Sequence, residues 1–155
     1  APPVAYTNAE ARQQLLDTVA RATDEIALAL GYLAEAYEQV DESAADRLED
    51  DLFRPLQAAY GQAQRVHAEF AGRHGLPTYT FAPAKPHVRE HDAKGIIDSA
   101  AAAVARGDQT LATLQDSMLP VEVGDPPLRA GVEQVRVLLD DIGRRTREIT
   151  RTLGR

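Results

Sequence analysis

The grouping in this 155-residue chain that comes nearest to metal-ligand spacing is His87 and His91, with Glu90 between them. On a helix an i, i+4 pair presents both imidazoles on one side, where they could share a metal with a carboxylate. That needs a helix starting near Pro86. The plainer reading is two histidines in a loop. His67 and His74 are seven residues apart, about 10.5 Å along a helix, too far to hold one ion together. They share a flank with Phe53 and Tyr60, which suits packing better than chemistry. There is no Cys, so a thiolate nucleophile, a disulfide framework and a Cys-based metal site are excluded. No Glu has a His three residues later, so the Glu-x-x-His ligand pattern of di-iron carboxylate proteins is absent.

The pairs Asp50-Asp51 and Asp140-Asp141 resemble acid/base carboxylates, but their phase places them outside. Leu52 and Ile142 point inward, so each Asp pair faces solvent. Asp50 precedes Arg54 by four residues and Asp140 precedes Arg144 by four, the spacing of surface ion pairs on a helix. No catalytic residue is expected, and no cofactor.

Two other groupings suggest binding rather than catalysis. Thr78-Tyr79-Thr80-Phe81 puts two of the chain's eight aromatics in a Pro-rich stretch, and the next helix carries small residues from Ala100 to Ala103. The structural expectation is that Tyr79 and Phe81 fold as a lid over the end of the helices. The functional alternative is a small apolar pocket framed by Tyr79, Phe81 and Ala100. Leu28, Gly31 and Tyr32 project away from the core stripe of their helix, which predicts a helix-to-helix interface in a homodimer.

The elements that position these residues follow from apolar periodicity. Thr7-x-x-Glu10 has the form of a capping box. A 3–4 rhythm then runs through Leu16, Val19, Thr23, Ile26, Leu30, Leu33, Tyr37 and Val40, predicting a helix over 8–40. Ser43-x-x-Asp46 starts a second, over 44–74, with Leu52, Leu56, Ala59, Ala63, Val66 and Phe70 inward. Pro55 lies within it and should kink it or displace its start. Gly75-Leu76-Pro77 ends it. The stretch 75–91, with Pro77, Pro83 and Pro86, reads as extended. Asp92 caps a third helix over 92–118, with Ile97, Ala100, Val104, Gly107, Leu111, Leu114 and Met118 inward, closed by Leu119-Pro120. Asp125-Pro126 restarts the chain as a fourth over 126–153. Gly107 and Gly131 mark close helix approaches. The expected fold is all-α: one domain, an antiparallel left-handed four-helix bundle with a long Pro-rich connection between the second and third helices.

Charge narrows the partners. Seventeen basic residues stand against 24 acidic ones, a formal net charge of -7. Residues 1–75 hold 13 of the acids and only 6 of the bases, so the excess lies in the first half. A negative surface repels phosphate backbones, and nucleic acid is not an expected partner. No run is apolar enough to cross a membrane. The start Ala1-Pro2-Pro3-Val4 reads as a processed or excerpted chain, and the lack of Cys fits a reducing, cytoplasmic location. The functional expectation is a non-catalytic interaction or assembly module, homodimeric or bound to another helical protein. The alternative is a helical protein that binds a small ligand or metal through residues 76–92.

Overall fold

The computed structural model describes residues 7–89 and 92–153, and every regular element among them is helical. Helix α1 spans Asn8–Tyr37, α2 Glu42–Leu48, α3 Arg54–His74, α4 Ala93–Asp116, α5 Leu119–Val123 and α6 Pro126–Leu153. A π-turn at Glu49–Phe53 joins α2 to α3 without a break. Thr7 and Asp92 cap as expected: Thr7 Oγ1 accepts from the Glu10 N–H at 3.1 Å and Asp92 Oδ1 from the Gly95 N–H at 2.8 Å. The second helix starts earlier than 44, because Asp41 rather than Ser43 is its cap, accepting from the Ala44 N–H at 2.8 Å. The first ends at Tyr37, not at residue 40.

Pro55 neither stops nor visibly displaces its helix. A proline has no N–H for the carbonyl four residues back, and its ring crowds that carbonyl. The π-turn widens the backbone here, with the Arg54 N–H reaching the Glu49 carbonyl five residues back. The Asp51 carbonyl, which Pro55 cannot serve, accepts instead from Arg145 Nη1 of α6 at 3.2 Å. A side chain from a neighbouring helix thus supplies the missing donor.

The predicted third helix is shorter than expected. It ends at Asp116, and Pro120 sits in the first turn of α5, where its missing N–H costs nothing. Met118, expected in the core, is therefore turned out and 64% exposed.

Of the long helices, α1 packs on α3 and α4, and α6 packs on the same two. Side-chain ties fix their directions. Arg106 meets Glu25, whereas Thr113 and Ser117, farther along, share a cavity wall with Gln14 and Thr18, so α4 begins at the C-terminal end of α1. Gln62 bonds Gln134 and Arg73 bonds Asp125, so α3 and α6 are antiparallel, as are α4 and α6 through Arg136 with Asp108 and Gln115. It follows that α3 and α4 run in the same direction. The connection between them must travel back along the molecule, and residues 76–89 do so without helix or strand.

One contiguous core fills the space between the helices. The inward positions expected from Leu52 to Phe70 are buried, and on α6 Leu128, Val132, Val135, Leu139, Ile142 and Ile149 are buried. On α1 the buried stripe rotates. Leu16 and Thr23 are buried, Leu30 is half-buried and Tyr37 is 44% exposed, while Leu15, Ala22, Ala29 and Ala36 stay inside. A straight helix drifts by about 20° per heptad, so a seven-residue repeat leaves the core after a few turns. The alanines take over on the side facing α4. Thr23 remains inside because its Oγ1 donates to the Val19 carbonyl at 2.8 Å.

Glycines report how near the chains come. A Cβ at Gly131 would lie 2.5 Å from Val66 Cγ2, and one at Gly31 would lie 2.5 Å from the Ala84 carbonyl oxygen. At Gly72 it would meet nothing within 4 Å. One substitution should therefore have opposite signs at two sites. Gly131→Ala is expected to destabilise by about 1–3 kcal/mol through overpacking. Gly72→Ala should stabilise by about 0.5–1 kcal/mol through helix propensity. Urea unfolding of the two variants checks both.

Candidate functional site

The densest polar constellation joins the ends of two helices. Asp125, 5% exposed, caps α6 by accepting from the Leu128 N–H through Oδ1 at 2.9 Å. The same oxygen accepts from Arg73 Nη2 at 2.7 Å, and Oδ2 accepts from Arg73 Nε at 3.0 Å. His74 Nε2 lies 2.7 Å from Oδ2, and its ring stacks at a tilt on Phe70, centroids 4.4 Å apart. Burial pushes the Asp125 carboxyl up, but the bonds from Arg73, Leu128 and His74 outweigh it and hold the carboxyl below its ordinary range. The arrangement resembles a His-Asp dyad, yet the carboxylate is saturated by four donors. Its chemistry is that of a staple between the end of α3 and the start of α6. Gly75, at φ 64°, turns the chain just beyond it and lets the Leu76 N–H return to the Ala71 carbonyl at 2.9 Å.

A second constellation is aromatic. His67 is only 2% exposed on α3. Phe81 meets it edge-to-face, centroids 5.1 Å apart, and Tyr79 lies 6.3 Å from it and 4.6 Å from Phe81. Tyr79 and Phe81 thus lie along the flank of α3 and not over the end of the helices. Burial lowers the His67 imidazole from its ordinary value, with Asp17 on α1 pulling the other way. Farther along, Ala84 and Pro86 press into the notch left by Gly31 of α1.

These contacts correct one expectation. The surface at Gly31, read as facing a partner, is occupied by the chain's own residues 84 and 86, and Leu28 and Tyr32 are half-buried against the core. Ala100 is buried on α4, seven residues before Gly107 and its neighbour Ala22, whereas His67 and the two aromatics lie toward Asp17. The ring contacts of Tyr79 and Phe81 are with His67 and with each other.

His87 is exposed in non-helical chain, because the helix starts at Ala93 rather than near Pro86. Glu90 and His91 lie outside the described residues. Among the described residues no group of three or more His, Asp or Glu side chains is arranged to hold a metal. The Asp pairs are surface features: Arg54 reaches Asp50 at 3.7 Å, as expected. Arg144 instead pairs with Asp141 at 2.6 Å, which Arg145 also meets at 3.0 Å, so the expected bond to Asp140 is replaced.

One surface feature escaped the sequence reading. Met118, just before the short α5, and Val121, on it, are 64% and 59% exposed. Beside them is a cavity of about 240 Å³ walled by Leu114, Pro120, Val121, Leu128 and Val132, with Gln115 and Arg129 at its polar edge. Comparison with family models, characterised proteins and solved structures returned no match. No helix among the described residues is long and apolar enough to cross a membrane.

The staple makes an acid-sensitivity prediction. A carboxylate held below its ordinary range contributes stability that is present above the unfolded value of about 3.9 and lost as pH falls through the lower, folded value. Asp125→Asn should cost about 2–4 kcal/mol near neutral pH, from a weakened cap and lost charge-assisted bonds. It should also flatten the loss of stability below about pH 4. Thermal unfolding of both proteins across that range reads both effects.

Proposed function

We propose that this chain is a non-catalytic interaction and assembly module: an antiparallel, left-handed four-helix bundle that acts as a homodimer. The ring of contacts among α1, α3, α6 and α4, with antiparallel neighbours, supports the architecture. The observation that carries the functional reading is at α5. Met118 and Val121 are large apolar side chains held in water, and Val121 also walls a mostly apolar cavity. Exposed apolar groups beside a concavity are the usual mark of a contact surface. On a two-fold axis the protruding side chains of one copy can face the cavity of the other, the self-complementary arrangement a dimer needs.

The polar groups support the same reading. Asp125 is consumed by its staple, Arg136 is tied to Asp108 and Gln115, and Arg106 to Glu25. These charges hold helices together. The cavity also favours a second reading, retention of a small apolar ligand, although 240 Å³ is below the usual size of ligand pockets.

Native mass spectrometry distinguishes the two. The dimer reading predicts twice the chain mass for the unaltered protein. The doubly substituted Met118→Glu, Val121→Asp protein should give the monomer mass with unchanged far-ultraviolet circular dichroism. A monomeric unaltered protein contradicts the dimer, and a bound mass beyond the polypeptide favours the ligand.

A further inference from the structure

Residues 76–89 lack the repeating backbone hydrogen bonds of a helix or strand, so side-chain contacts must hold them in place. The contacts identified are at two points. Near the end of α3, Tyr79 and Phe81 close over His67. Farther along, Ala84 and Pro86 fill the notch at Gly31. The first point contains a titratable ring, and the connection is what covers it.

We propose that the 76–89 connection is a pH-sensitive strap, docked on α3 while His67 is neutral and released at Tyr79 and Phe81 when His67 takes up a proton. With the strap in place, a protonated imidazole would be held at 2% exposure against two aromatic rings. With the strap lifted, the same charge meets water. Burying a charge without full compensation is the larger cost, so protonation favours the lifted state. The charged groups around the ring do not reverse this. Asp17 from α1 favours the proton but is itself bonded by Gln13 Nε2 at 2.8 Å. The strap from Thr78 to Pro83 brings no charge. On α3, Tyr60 and His74 are seven residues away on either side, and His74 is turned onto Asp125. Helix α6 meets the neighbouring face of α3 through Val66 and Gly131.

The sign follows from linkage. The docked state holds His67 below the ordinary histidine value of about 6.5, so docking is fully favoured above that value. As pH falls below it, the opening constant rises by at most about tenfold per pH unit, then levels off below the docked-state titration point.

The test is a nuclear magnetic resonance titration of the whole chain from pH 7.5 to 5, following the rings of His67, Tyr79 and Phe81 and an amide of the core at Leu139. The strap predicts that the Tyr79 and Phe81 signals move along the same curve as His67, below the ordinary histidine range, while Leu139 stays still. His67→Phe keeps an aromatic contact without the proton site, and its Tyr79 and Phe81 signals should not change with pH. Phe81→Ala opens the contact over His67 in the folded protein, and His67 should then titrate at the ordinary value. Aromatic signals that ignore the His67 titration overturn the proposal. So does a pH transition that persists in His67→Phe, or a His67 titration unmoved by Phe81→Ala.

Discussion

Two helices consecutive in the chain, α3 and α4, point the same way, and much of this molecule follows from that constraint. Antiparallel neighbours can be joined by a tight turn, as α1 and α2 are across residues 38–41. Helices running in the same direction cannot. The chain must return over roughly the length it has just descended, and 21 residues of α3 rise about 30 Å. Fourteen extended residues, 76–89, reach that far. The price of such a connection is backbone with no regular partners. Its seat on α1 and α3 depends on particular side chains, namely His67 with two aromatics and a glycine notch.

The remaining polar chemistry serves the same end. Several charged side chains act between helices. Arg145 takes over the carbonyl that Pro55 abandons, and Asp125 joins the last turn of α3 to the first of α6. Each gives the packing a fixed register that apolar contact alone specifies loosely. A buried carboxylate with four donors has no free lone pair pointing at a substrate. Around α5, by contrast, Met118 and Val121 leave apolar surface in water.

Periodicity carried most of the architecture into view. Caps at Thr7, Asp92 and Asp125, the stop at Gly75, and the inward stripes of α3 and α6 all depend on neighbours within a turn or two of sequence, and local rules reach that far. The close approach at Gly131 was legible for the same reason. What local rules cannot give is the path of a chain without a period. Gly31 looked outward because nothing in its own helix covers it, and the covering atoms come from residues more than fifty positions later. His74 and Asp125 were each visible, as a flank residue and as a cap, but their pairing spans 51 residues. The outward turn of Met118 depended on where α4 stops, and helix ends are the least sharply written part of any sequence.

The seating of the connection in the Gly31 notch is the feature on which these arguments converge, and a single through-space measurement addresses it. A nuclear Overhauser cross-peak between the Gly31 α protons and the Pro86 δ protons, recorded at neutral pH, should be strong, because a Cβ at Gly31 would lie only 2.6 Å from that carbon. Its absence, in a sample whose Val66 and Gly131 signals still show their own contact, would mean that the chain returns by another route.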